Sequence, residues 1–279
     1  MNLHLQNTLP KVFRCLAAAA LLLQAGYVGA ADELDLAVKN GCIICHRGAE
    51  KLMGPPYAEV AKKYAGQRDA AKILAEHIVK GTGPAGQGWM KEGQATLPFM
   101  PANSAVKPKD ALRLANWVLA MKGEIPGLKQ YVTERLAVSG FVEHQLDLSV
   151  EELRKFPAKD VQEISVVAQS PARAGTTETF RGVLLRTLLE KASILSPGHN
   201  DLKRVIIIAK ASDDYAIVFS RYELFNTAVG DGVLVYFEKD GKPLADDEGR
   251  IAMISSKDIH LGGRHVRWLN AIEVRKVGD

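Results

Sequence analysis

The pentapeptide Cys42-Ile43-Ile44-Cys45-His46 constrains this chain more than any other feature. The chain has three cysteines, and the third, Cys15, stands at the edge of an N-terminal apolar run. No thiol is left for a disulfide framework or a second metal site. A Cys-x-x-Cys pair alone is compatible with a thiol redox centre, but that motif normally opens a helix after a strand. Here Leu34-Asp35-Leu36-Ala37-Val38-Lys39-Asn40 has the spacing of a short amphipathic helix, and a histidine follows the second cysteine at once. The pattern points to one covalently attached c-type haem. Cys42 and Cys45 would add across the vinyl groups, and the imidazole of His46 would become the proximal iron ligand.

The sequence around this motif sets its compartment. Lys11 and Arg14 precede an apolar run from Cys15 to Leu23, and Val28-Gly29-Ala30 offers the small residues of a cleavage site. Residues 1–30 therefore read as an export signal. The run is shorter than the about 20 residues that cross a bilayer core, and no later segment replaces it, so the expectation is a soluble periplasmic or otherwise exported protein with no transmembrane segment in the mature chain. With 36 Lys and Arg against 32 Asp and Glu, the formal charge of +4 is too small to suggest a nucleic-acid surface.

A sixth iron ligand should come from the same unit. The candidates are Met53, Met90, Met100, Met121 and His77. Met53 lies close to His46 in the chain, Met121 falls on the apolar stripe Leu114, Trp117, Val118, Met121, and His77 lies within the expected helix Ala70–Lys80. Met100 sits in Leu97-Pro98-Phe99-Met100-Pro101-Ala102-Asn103, where two prolines stiffen an extended backbone and can present a thioether from a rigid loop. Met100 is preferred over Met90.

Residues 34–122 resemble the small bacterial monohaem class I cytochromes c. The residues that carry the likeness are the haem motif, Met53-Gly54-Pro55-Pro56-Tyr57, Pro98-Phe99-Met100-Pro101, and the terminal helix Ala111–Met121 with Trp117. The resemblance implies an all-α haem domain in which the Pro55 carbonyl accepts the ring N–H of His46. It also implies a contact of Trp89 with a haem propionate, although the stretch Met90–Thr96 makes the spacing from Trp89 to Met100 longer than in the shortest members. With both axial positions filled by protein, one-electron transfer is the chemistry to expect.

Beyond Met121-Lys122-Gly123-Glu124-Ile125-Pro126-Gly127 the texture changes. Gly123 is a plausible helix C-cap and Pro126 stops the helix. The β-rich runs Glu163–Ala168, Arg204–Ala209, Tyr215–Phe219 and Val233–Phe237 follow, with helices expected at Ser149–Lys155, capped by Ser149 and Glu152, and at Leu184–Ala192. Lys239-Asp240-Gly241-Lys242 reads as a hairpin turn. The expected division is a signal over residues 1–30, a haem domain over 31–122, a linker over 123–129 and an α+β domain over 130–279.

The second half resembles the sulfite-oxidase-type molybdopterin-binding domain. The markers are Arg135–Val142, Phe180–Leu189, Asp214-Tyr215, Gly241–Leu244, Gly249-Arg250-Ile251 and Val266–Ile272. Catalytic members of that family hold molybdenum through a cysteine after a strand. By register that place is Ser170, and a hydroxyl is a poor substitute for the soft thiolate such a metal needs. Bound molybdopterin is therefore not expected. Three readings of this half remain: a docking module, a binding domain for a pterin or another small ligand, or an enzyme with altered metal ligation. For the whole chain the expectation is an electron carrier serving a redox partner protein, either an electron donor or a terminal oxidase or reductase. The alternatives are a self-contained dehydrogenase that feeds its own haem and a haem-based sensor. The cations of His260–Arg267 are read as a solvated turn rather than an anion site, and Asp213-Asp214 as a turn.

Overall fold

The computed structural model describes residues 32–49, 54–82, 100–164, 177–259 and 263–278. The first unit is helical: α1 (residues 32–39), α2 (Cys42–Cys45), α3 (Tyr57–Tyr64), α4 (Ala70–Lys80) and α5 (Pro108–Leu119). Each longer helix buries one stripe. Leu34, Ala37 and Val38 of α1, Leu74 and Ile78 of α4, and Ala111, Leu114, Ala115 and Val118 of α5 repeat at the spacing of a single helical face and share one core. Pro108 starts α5, where its missing N–H costs nothing. The helix ends earlier than the sequence suggests, because the Ala120 amide already closes onto the carbonyls of Asn116, Trp117 and Val118. Gly123 is not the cap. It lies instead against Gly48, where a Cβ would come within 2.2 Å of the Gly123 carbonyl oxygen.

Residues 123–129 are packed rather than free: Ile125 and Leu128 are buried in the helical unit's core, and a 3₁₀ turn, Leu128–Tyr131, leads into the second unit. That unit is α+β. One sheet has the order β2-β1-β10-β5-β6, formed by Leu146–Ser149, Arg135–Gly140, Leu269–Lys276, Val205–Ala211 and Ala216–Ser220. All its pairings are antiparallel except β1 with β10. The other sheet has the order β3-β4-β7-β8, formed by Lys159–Ile164, Thr177–Leu184, Val233–Lys239 and Lys242-Pro243, with β9 (Ala252–Ser255) also on β7. Apolar residues of both sheets and of α7 (Leu185–Ala192) meet in one core. A smaller cluster, with Val161, Phe180, Leu234, Tyr236 and Ile254, covers the other face of the second sheet. This explains the unbroken apolar run of β7, which is buried on both faces.

Two local signals of the sequence appear as structure. Ser149 and Glu152 form a capping box at α6 (Val150–Leu153). Asp240 and Gly241, with φ of 51° and 72°, make the left-handed turn that joins β7 to β8. Among the described residues no helix is long and apolar enough to cross a membrane.

Candidate haem site and the interface that covers it

Gly41, at φ 69°, turns the chain from α1 into the single helical turn Cys42–Cys45. Two cysteines three apart on one turn share a face. Burial pushes the Cys42 thiol up to about 11, with Cys45 adding to the effect. Burial also raises Cys45, against the opposing charge of Arg267. Neither is the low-pKa nucleophile of a dithiol redox centre.

His46 leaves the turn in extended geometry. Its Nδ1–H donates to the Pro55 carbonyl at 2.8 Å, since a carbonyl can only accept. That bond fixes the tautomer and leaves the Nε2 lone pair for a metal. Burial lowers the imidazole's pKa, partly offset by the Pro55 bond, and so keeps the ring neutral as a ligand must be. The ring stacks on Tyr57 at 5.2 Å between centroids, and Tyr57 meets Trp117 edge-on at 5.4 Å. The amides of Gly54, Tyr57 and Ala58 donate to the carbonyls of Cys45, Arg47 and Gly48, which straps residues 54–58 along the motif. At Gly54 a Cβ would stand 2.3 Å from His46 Cε1 and 2.6 Å from Nδ1, so only glycine lets the ring lie there. Sequence reasoning missed Gly54 and Tyr57 as site residues. Their one visible signal was the Gly-Pro-Pro-Tyr run itself.

Met100 is brought to the same core. Its amide donates to Thr82 Oγ1 and its carbonyl accepts from the Thr82 amide, both at 3.0 Å. Asn103 ties the segment to α4 through its amide on Ile78 and to the α1–α2 corner through Nδ2 on the Asn40 carbonyl, again at 3.0 Å. Met100 packs half-buried against the cluster that also receives Cys42, Tyr57 and Trp117. Met121 is buried as a packing residue, and His77 stays on α4. Met53, Trp89 and Met90 lie outside the described residues, as does the proposed signal, residues 1–30. The Trp117 indole N–H is buried with no partner among the described residues, an orphan that a polar group bound in this core would satisfy. Two thiols on one turn, an imidazole with a free Nε2, a tethered thioether and an unpaired N–H fit a haem.

The second unit lies against this motif. Arg47, directly after His46, forms ion pairs with Asp247 and with Glu248. Asp35 of α1 accepts from Gln130 at 2.9 Å and from the Tyr131 hydroxyl. Trp268, only 2% exposed, belongs to the haem unit's core although it lies in the second unit's sequence. Arg267 Nη1 donates to the Ile43 carbonyl, between the two cysteines, at 3.2 Å.

Behind Arg47 is a polar cluster of the second unit. The Tyr236 hydroxyl lies 2.7 Å from His265 Nε2 and 3.3 Å from Glu248, and Lys239 reaches Glu248 at 3.3 Å and Glu178 at 3.0 Å. Burial, helped by Arg267, pushes His265 down to about 4 against the pull of Glu248. Burial would raise the Glu248 carboxyl, but Lys239, His265, Arg267 and Arg47 outweigh it and hold it below the usual range. The segment read as a solvated turn is thus tied down. Arg264 pairs with Asp258 and Glu223, His265 bonds Tyr236 and Arg267 reaches Ile43, so these side chains diverge instead of forming one anion site. Asp213 and Asp214 do form a turn, with Asp214 at φ 67° and the Tyr215 amide donating to Asp213.

No cysteine follows Cys45, so the second unit has no thiolate of its own to offer a metal. Ser170 lies outside the described residues.

Comparison with known proteins gives two family matches: the oxidoreductase molybdopterin binding domain over residues 122–278 and cytochrome c over residues 35–122. Cytochrome c2 of Rhodocyclus tenuis is 46% identical over 93 residues, covering 33% of this chain and 95% of that protein. Cytochrome c-552 of Nitrosomonas europaea is 44% identical over 105 residues, covering 38% of this chain and 91% of that one. The crystal structure of the sulfane dehydrogenase SoxCD from Paracoccus pantotrophus aligns at 17% identity over 68% of this chain and 46% of its own, with a TM-score of 0.39.

Proposed function

The chain belongs to the cytochrome c family through residues 35–122 and to the oxidoreductase molybdopterin-binding family through residues 122–278, and from this premise we propose that it is an exported single-electron carrier whose second domain docks and does not catalyse. The observation that carries the proposal is the His46–Pro55 bond at 2.8 Å, which leaves Nε2 as the one free ligand atom of a ring that Gly54 and Tyr57 hold in place. Bound at this site, haem supplies reversible one-electron exchange at iron. Cys42 and Cys45 would hold it covalently and His46 and Met100 would ligate its iron, the Met100 segment being kept in place by Thr82 and Asn103. Trp89 would contact a propionate.

Docking is the reading of the second domain because its polar cluster is satisfied from within the chain. Arg47 enters it from the haem unit, and the domain supplies no thiolate for molybdenum. Ile44, between the two cysteines, stays 56% exposed beside this interface and leaves part of the motif turn open to a redox partner protein.

The test is a pair of spectra of the purified protein, oxidised and reduced, together with molybdenum analysis. The proposal expects a sharp split visible band, a far-red sulfur-to-iron band in the oxidised form and no stoichiometric molybdenum. One molybdenum per chain would replace it with the dehydrogenase reading. Carbon monoxide binding to the reduced protein would replace it with the sensor reading.

A further inference from the structure

We propose, resting on the haem reading above, that Arg267 is a positioning residue through which the second domain sets a positive charge against the Cys42–Cys45 turn and raises the reduction potential of the haem. Its Nη1 donates to the carbonyl of Ile43, 224 residues earlier in the chain and between the two attachment cysteines. The segment that delivers it is rigid. Val266 exchanges both backbone hydrogen bonds with Met253 at 2.8 Å, and the Trp268 amide donates to the Glu248 carbonyl at 2.9 Å. Trp268 is held at φ 48°, a left-handed conformation that its indole's burial in the haem unit's core maintains.

The neighbouring cations are neutralised. Arg47 meets Asp247 and Glu248, Lys239 meets Glu178 and Glu248, and Arg264 meets Asp258 and Glu223. Arg267 has no carboxylate at ion-pair distance among the described residues, its Nη1 meeting the Ile43 carbonyl instead. The carboxylates in its field are Glu248, already shared by two other cations, and Asp213. Reduction adds an electron, so a cation without an ion-pair partner beside the haem-bearing turn favours the reduced state. Partial burial limits screening by salt. In an effective dielectric of about 20, a unit charge held on the haem-bearing turn is strong enough to shift the equilibrium by roughly three- to tenfold. The second domain would then set the electron affinity of its own haem unit as well as cover it.

The experiment is an equilibrium redox titration of the haem-loaded full chain, followed by its visible bands, for wild type, R267Q, R267K and D213N. R267Q should lower the ratio of reduced to oxidised protein at fixed ambient potential by about three- to tenfold, which is about 30–60 mV at 59 mV per decade for one electron. R267K keeps the charge and should stay within about twofold of wild type. D213N removes an anion from the same field and should move the ratio upward, an outcome that does not depend on any Arg267 variant folding. A ratio for R267Q within twofold of wild type, an equal fall in R267K, or a downward shift in D213N overturns the proposal. A protein that carries no haem overturns the underlying site reading instead, whereas a normally coloured protein with an unmoved potential overturns only the role of Arg267.

Discussion

At Gly54 the chain has room for a hydrogen and nothing larger, because the His46 ring occupies the space where a Cβ would stand. Gly54→Ala should push the ring off the Pro55 carbonyl at a cost of about 1–3 kcal/mol from overpacking, and the haem content of the purified variant should fall. Retention of full haem content with an unaltered spectrum would contradict this role. Met100→Ala should keep covalent haem but lose the far-red sulfur-to-iron band; a persisting band would assign the sixth ligand to another residue. The Cys42-x-x-Cys45-His46 pattern could be read directly as a candidate haem motif because the chemistry proposed for it depends on adjacency along the chain. Gly54, Tyr57 and Arg47 could not be read in this way, since each acts on something that only folding brings near: the ring face of His46 for the first two, and Asp247 and Glu248, about 200 residues on, for the third.

Elements with purely local causes were readable. Helix α4 spans Ala70–Lys80 as its apolar spacing requires, and the β7–β8 turn follows from Asp240-Gly241. The capping box of α6 is equally local, and Ser149→Ala should lower the stability of the sheet-rich domain by about 1 kcal/mol in urea unfolding; an unchanged midpoint would mean that tertiary packing alone holds α6. What could not be read was pairing at a distance. The parallel contact of β1 with β10 joins residues 137–140 to 271–274, and nothing in either strand's alternation specifies that partner. The end of α5 was misplaced for a related reason: Gly123 has the chemistry of a cap, but its role is a close approach to Gly48, a contact no local pattern announces.

Across the whole molecule, the two domains share side chains rather than only a boundary. Trp268 fills the haem unit's core and Arg47 completes the second domain's polar cluster, so the halves should unfold together. Trp268→Ala should cost about 3–5 kcal/mol and split the transition, with haem absorbance and far-ultraviolet dichroism no longer coincident; a single coincident transition in the variant would show that the indole does not couple them. Acid should also loosen the pair. The Glu248 carboxyl is held below its ordinary value of 4.5, so its stabilising contribution is present above that pH and lost as pH falls through the lower folded value. The unfolded chain protonates His265 near 6.5 while the folded chain resists until about 4, so stability falls with pH across that window too. Unfolding midpoints that stay flat from pH 7 to 4 would contradict this account.

The most direct test of the central claim is the intact mass and thiol titration of the denatured chain, purified from a host that attaches c-type haem. One haem should remain bound after denaturation, with no free thiol at Cys42 or Cys45. An unmodified mass with both thiols titrating would contradict it.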